Sequence, residues 1–342
     1  MKDPLLKYTL FIVSVIATVY ILIIGKALII PLVLAVVIWY FIVSLARFFE
    51  KYRIPRSISM LFSIISCLLI LLIFYSILSK SIKDLLIAAP TYQVKLESLI
   101  AQFLTWSGLE RTDLINNITG SINFGELVKK GTEVFTTFAS NIMLILIYLL
   151  FLLLEYKGFK KKMRVILDDN EDYAQTKQTL ARVSAEVNTY MKVKTLVSLI
   201  TGIVSYIVLV AIGVDFPEFW AFLLFILNYI PTIGSLIGVL FPVILSAIQF
   251  PSLVQPITTL VLLTVIQVVT SNVMEPRMMG RSLNLSPLVI ILSLAVWGAI
   301  WGIVGMILCV PITVIMNIIF SKFEKTRALA VLLSEKGEVK QN

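Results

Sequence analysis

Residues 218–249 read EFWAFLLFILNYIPTIGSLIGVLFPVILSAIQ, and their length decides the architecture. As a straight α-helix at 1.5 Å per residue the stretch would run about 50 Å, against about 30 Å for the hydrocarbon core of a bilayer. It is too long for one span and short for two. Its helix breakers, Asn228, Pro231 and Gly234, lie in the middle. Pro231 has no N–H to donate and its ring crowds the preceding turn, while Gly234 can adopt backbone angles closed to other residues. Folded there, the stretch becomes two short arms, a broken helical hairpin. Backbone freed at such a break is tolerated in a membrane only where protein buries it or it lines a wet cavity.

A second stretch, 287–319, PLVIILSLAVWGAIWGIVGMILCVPITVIMNII, has nearly the same length, and its breakers Gly298, Gly302 and Gly305 are again near the middle. A competing reading makes Gly234/Gly238 and Gly298/Gly302 sites of close helix packing and Pro231 a kink. Charge favours hairpins. Two tilted single spans would put the corner EPRMMGRS, 275–282, outside with Arg277 and Arg281, whereas two hairpins keep it inside with the other basic links. Interrupted segments in opposed orientation are a signature of transporters whose site lies near the midplane.

The rest of the chain agrees with a membrane protein. Of 342 residues, 59% are hydrophobic and only 14% charged, where soluble domains carry about a quarter. Windows 8–24, 28–46, 57–79, 138–156, 196–214 and 256–274 are each long and apolar enough to span. The first is too long for the core of a cleaved signal and has no small-residue cleavage site, so it is expected to remain as an anchor. The net charge of +9 reports orientation and contact with anionic lipid rather than nucleic acid. The chain has no His, which excludes imidazole metal sites and Ser-His-Asp triads. Cys67 and Cys309 sit in apolar runs and imply no disulfide framework.

Loop charges set the topology. The link 47–56 carries four basic residues against Glu50, and 157–194 carries nine, whereas 80–137 holds six of each sign. Both termini are therefore expected in the cytoplasm. The chain divides into three spans (1–79), an extracytoplasmic amphipathic insert (80–137), a fourth span (138–156), a basic cytoplasmic insert (157–195), a core with the two interrupted segments (196–320) and a tail (321–342). Leu96, Leu99, Ile100 and Phe103 share one helical face of the first insert, and Leu180, Val183, Val187 and Tyr190 share one of the second. Neither insert carries a catalytic motif, and no Walker lysine appears, so no enzyme, no cofactor and no ATP-driven pump is expected.

The motifs NYIPTIGSLIG (228–238), NVMEPRMMGRSLNLSPLVIILSL (272–294) and WGIVGMILCVPITV (301–314) resemble the autoinducer-2 exporter-like (AI-2E) family of prokaryotic membrane proteins. The resemblance covers nearly the whole chain, with Cys309 standing where the family more often has a small residue such as Ala. It implies an all-α polytopic protein of the prokaryotic inner membrane with about eight membrane segments, assembled as a homo-oligomer. It also implies a secondary transporter, either an exporter of a small polar solute such as autoinducer-2 or a Na+(Li+)/H+ antiporter coupled to Na+ or H+. A non-transporting scaffold that binds partners through its inserts is the alternative from another class.

Several residues are candidates for the site. Glu275 is the only acidic residue between Glu218 and Glu324, and Asn272 stands three residues earlier, on the same face of an α-helix. Together they offer oxygens to a polyol or to Na+, while a pair with Arg277 would make Glu275 structural. Thr232 and Ser235 follow the Pro231 break, where a helix start would present amide donors, and Asn228 precedes it. Gly298, Gly302 and Gly305 mark the second tip, and Pro276, Gly280, Pro287 and Pro311 mark turns. Gln267 reads as an interhelical hydrogen bond, Glu155 and Asp215 as interface markers, and Trp297 with Trp301 as aromatic packing or the wall of a cavity.

Overall fold

The computed structural model describes residues 4–107, 140–166, 170–279, 284–335 and 337. Within them the chain is helical, with no strand. The helices are α1 (Pro4–Ile24), α2 (Lys26–Glu50), α3 (Arg56–Ser107), α4 (Ile142–Ile166), α5 (Asn170–Ile212), α6 (Pro217–Leu227), α7 (Ile233–Gln249), α8 (Val254–Gln267), a π-helical segment (Val268–Met274), α9 (Glu275–Met279), α10 (Pro287–Lys322) and α11 (Arg327–Leu333).

Among the described residues, five helical runs are long and apolar enough to cross a membrane: Lys26–Glu50, Arg56–Gln102, Ala174–Ile212, Val254–Met279 and Pro287–Lys322. Shorter apolar helices lie at Ile12–Ile24, Ile142–Glu155, Pro217–Leu227 and Ile233–Gln249. On α3, every residue from Leu68 to Ile73 is exposed, so the helix shows apolar surface all round. A face of that kind needs lipid or protein against it. The chain is a multi-pass membrane protein.

Four boundaries drawn from the sequence fall inside single helices, among them 156/157 within α4 and 320/321 within α10. The division at 79/80 lies within α3 and that at 195/196 within α5. Polar side chains enter at these last two without a Gly or Pro to stop the helix, and Pro90 alone does not end α3. The part of the first insert beyond Ser107, as far as residue 139, lies outside the described residues.

The chain forms two compact units. One comprises 64–140 and 193–278. Its core joins Tyr92, Leu209, Val214, Trp220, Leu224, Val239, Leu245, Ile248 and Leu263. Leu96 and Leu99 pack against it, so part of the face expected of the first insert is core-facing. The stretch 218–249 doubles back in this unit. α6 packs on α7, with Trp220 stacked on Phe241 at 6.2 Å, and Asn228–Thr232 form the link. A polar corner closes the opposite end of the pair: Asp215 accepts from the Tyr92 hydroxyl, and its N–H and carbonyl bind Gln249 and the Trp220 indole.

The other unit comprises 1–63, 141–192 and 279–342. Here α2 packs on α4, and α10 reverses direction at Gly302, whose φ of 63° and ψ of −141° are non-helical. The two arms of α10 meet through Ser293, whose hydroxyl lies 2.5 Å from that of Thr313 and 3.1 Å from the Cys309 carbonyl. Trp297 and Trp301 pack on each other and the Trp301 indole donates to the Leu22 carbonyl, so they are packing residues. Pro287 opens α10 at its first turn, where no N–H is needed. Pro311, expected at a turn, is instead buried inside the second arm of α10.

Candidate functional site

The first break and the Glu275 corner meet in the unit formed by 64–140 and 193–278. The link from α6 to α7 is tight. Ile233 N–H donates to the Pro231 carbonyl at 2.6 Å around Thr232, whose φ of 59° and ψ of −55° describe a γ-turn. A β-branched residue at positive φ is an outlier, and such strain is held only where surrounding contacts enforce it. Gly234 N–H bonds the Ile230 carbonyl, and the hydroxyls of Thr232 and Ser235 turn onto the carbonyls of Pro231 and Thr232. The expected free amide donors at the start of α7 are thus used by the turn itself. Thr232→Gly should relieve the strain and raise stability by about 1 kcal/mol. A higher melting temperature of the purified protein is the expected reading, and an unchanged one would show that the turn is unstrained.

What anchors the tip is one stretch of α5. Asn228 donates its amide to the Ser198 hydroxyl at 3.0 Å, and the Tyr229 hydroxyl donates to Thr195 at 2.8 Å. Ser271, in the π segment, reaches the Asn228 amide oxygen at 3.5 Å. Lys194 donates to both carboxylate oxygens of Glu275 at 2.8 Å. Lys194 is buried, its side chain 5% exposed, and Glu275 is half-buried, its side chain 17% exposed. Lys194, Thr195 and Ser198 together tie the hairpin tip and the Glu275 corner to one face of α5.

Glu275 therefore does not pair with Arg277, and Pro276 does not form a turn. Both belong to a helical run that continues from α8 through the π segment into α9. The π segment has a local cause. Pro276 offers no N–H to the Asn272 carbonyl and its ring would press on it. The helix widens just ahead, where Glu275 N–H donates five residues back to Thr270. The wider turn also breaks the α-helical spacing that would align Asn272 with Glu275, and Asn272 is exposed. Among the described residues no cluster of three or more His, Cys, Asp or Glu could hold a metal ion. Both oxygens of Glu275 are already engaged, which leaves Asn272 and Glu275 poorly arranged for Na+.

The other candidates are distributed as follows. Gly298, Gly302 and Gly305 belong to the second unit, at the reversal of α10. Gly280, Arg281 and Ser282 lie outside the described residues. In the second unit a cleft of about 470 Å³ is lined by Trp39, Tyr40, Arg47, Glu155, Ser184 and Asn188 among others. Glu155 there pairs with Lys162. Sequence reasoning missed Lys194, Thr195, Ser198 and Tyr229 as site residues.

The profile of the family described as AI-2E family transporter matches residues 10–325, which takes in both hairpins and the Lys194–Glu275 corner. The chain belongs to the AI-2E transporter family. The AI-2 transport protein TqsA of Escherichia coli is 31% identical over 316 residues, covering 90% of this chain and 90% of its own length. A putative transport protein of Haemophilus influenzae is 30% identical over 341 residues, covering 95% and 96%. Another, of Borreliella burgdorferi, is 28% identical over 328 residues, covering 91% and 85%. Family membership makes this a chain of a transporter family, and the polar residues brought together beneath the α6–α7 tip are the natural place to look for its solute.

Proposed function

We propose that this protein is a homo-oligomeric secondary transporter of the prokaryotic inner membrane that exports a small polar solute, with autoinducer-2, named for the E. coli relative, as one candidate. In this reading the α6–α7 pair and the two arms of α10 are re-entrant hairpins, bringing the membrane segments to about eight, and both termini are cytoplasmic. The solute site lies at Asn228, Pro231, Thr232, Gly234 and Ser235 of the tip and at Asn272, Glu275 and Arg277 of the corner. The glycines of α10 form a second moving tip. The cleft beside Arg47 suits the headgroup of an anionic lipid.

The observation that carries the reading is the largely enclosed Lys194–Glu275 pair, joined through Ser271 and Asn228 to a strained tip. An ion pair so largely enclosed carries a desolvation cost that packing alone does not call for, which favours a functional role. Here it acts as a latch: while it holds, the corner is fixed to α5, and its release would free the corner, and with it the Ser271 contact to the tip, to admit solute. Because the carboxylate is already neutralised by Lys194, this favours solute export over Na+(Li+)/H+ antiport, which needs a carboxylate available to the ion.

Glu275→Asp tests it, keeping the charge that neutralises Lys194 while withdrawing the carboxylate by one methylene. Efflux of autoinducer-2 and of a panel of neutral solutes from proteoliposomes is expected to fall about tenfold with oligomer yield unchanged, corresponding to about 1.4 kcal/mol. Imposed Na+ and pH gradients in the same vesicles identify the driving ion. Exchange of Na+ for protons in the absence of any solute flux would replace the export reading with antiport.

A further inference from the structure

Gln267 ends α8 with its side chain buried, the residue 7% exposed, and neither its amide nitrogen nor its amide oxygen has a hydrogen-bond partner. The buried threonine hydroxyls of the same helical run are satisfied. Thr259 donates to the Gln255 carbonyl at 2.8 Å, and Thr270 to that of Ile266 at 2.8 Å. A buried amide that makes no hydrogen bond loses its hydration without replacement, and buried polar groups left open in this way call for an explanation.

Its position supplies one. α7 and α8 pack against each other, and Ser246 faces Thr259 across them at 3.5 Å. Continuing that antiparallel register along both helices brings Gln267 to the level of Gly238, one turn from Gly234 and the strained link at Thr232. On its own helix Gln267 adjoins the π segment, one turn before Ser271, which reaches Asn228. By this register the open amide falls on the stretch of α8 that leads from the tip to Ser271. In this unit the Ser205 hydroxyl on α5 and the Gln255 amide oxygen at the start of α8 are also buried without a partner among the described residues.

The chemistry of the vacant amide restricts what it can bind. A cation would satisfy only the oxygen and an anion only the nitrogen, leaving the other atom buried and unpaired. A neutral solute with neighbouring hydroxyls satisfies both, one hydroxyl accepting from Nε2 while the next donates to Oε1. We propose that Gln267 is a solute-contacting, specificity-determining residue of the transport site, selecting neutral hydroxylated solutes against ions. This rests on the transporter reading above and assigns it a residue and a substrate class. A site built to hydrogen-bond a hydroxyl strongly rejects partners that lack one, because its own groups are then left open.

The test uses the purified oligomer with Cys67→Ala and Cys309→Ala, carrying Gln267→Cys or, as a control on the same buried face, Leu263→Cys. The probe reagent is hydroxyethyl methanethiosulfonate, neutral and hydrophilic. Cys at 267 is expected to be modified and Cys at 263 to be spared, with ribitol slowing modification about fivefold or more and isosmotic NaCl having no effect. In parallel, Gln267→Leu should keep or raise the melting temperature, since an unpaired amide is removed, yet cut efflux of neutral solutes about tenfold. No modification at 267, equal modification at 263, or no protection by ribitol overturns the proposal, the last pointing to a lone buried water as the partner. A lowered melting temperature with unchanged efflux overturns it as well, making Gln267 a packing residue. If ribitol protects but no solute crosses the membrane with the wild-type protein, the transport reading falls and Gln267 stands as a binding residue.

Discussion

Lys194→Met is expected to destabilise the protein by about 3–5 kcal/mol, the usual effect of removing one partner from a buried ion pair. The replacement keeps most of the volume of the lysine stem, so the effect is chiefly electrostatic. It leaves Glu275 charged, largely enclosed and without its only ion-pair partner among the described residues. The double replacement Lys194→Met with Glu275→Leu should recover most of that loss, because two charges with a desolvation penalty give way to two apolar groups. Efflux should stay low in the double variant, since the corner would be held to α5 by apolar packing in place of a pair that can open. The measurement is the melting temperature of the detergent-extracted protein together with solute efflux for wild type, both single variants and the double. Additive losses in the double variant would show that the two side chains do not act as a pair, and full efflux would show that the pair is structural and no latch.

The breaks in 218–249 and 287–319 were legible in the sequence and the Lys194–Glu275 pair was not, for a physical reason. A break is local: the length of 218–249 against the bilayer, with Asn228, Pro231 and Gly234 at its centre, favours an interruption there wherever the rest of the chain goes. Lys194 is separated from Glu275 by 81 positions, and in the sequence it stands among the basic residues of 157–194, which read as a cytoplasmic link. Nothing in its neighbourhood marks it as buried except the regular pattern of small polar residues that follows, Ser198, Thr201 and Ser205, all buried on α5. That pattern at helical spacing was the available signal for a polar face inside a membrane helix.

The π segment misled the reading of the corner for a related reason. Its residues, VVTSNVM, are ordinary helix content, so an α-helical spacing was applied and Asn272 was placed beside Glu275. The information lay four residues downstream, in Pro276, whose missing N–H releases the Asn272 carbonyl. Pro276 likewise read as a turn, whereas a proline close to the end of a long helix can be accommodated by widening the turn before it. The two long helices α3 and α5 escaped notice because polarity changes along them while helix propensity does not. A boundary in hydropathy is then not a boundary in structure.

The last expected result concerns the glycines at the two reversals, which differ in what holds them. At Gly305 an added methyl would lie 1.9 Å from the Trp297 carbonyl oxygen, and at Gly234 it would lie 1.7 Å from that of Leu227. Both obstacles are backbone of the facing arm, which cannot turn aside, so the arms must separate. At Gly298 and Gly238 the obstacles, at 2.9 Å and 2.8 Å, are the ends of Met306 and Leu224 side chains, which can rotate away. Gly302 is different again: nothing lies within 4 Å, and only its φ of 63° excludes other residues. Gly305→Ala and Gly234→Ala should therefore destabilise by about 3 kcal/mol or more, at or beyond the upper end for overpacking. Gly302→Ala should cost about 1–3 kcal/mol through backbone strain alone, and Gly298→Ala and Gly238→Ala should cost less than about 1.5 kcal/mol. Melting temperatures of the five variants give the order. If Gly298→Ala proves as damaging as Gly305→Ala, the arms of α10 are held by small-residue packing along their length and not by a close backbone approach at the tip. The same order should hold for efflux if closure of the tips is part of transport, because an arm displaced by the width of a methyl group can no longer return to the packed state from which the cycle starts.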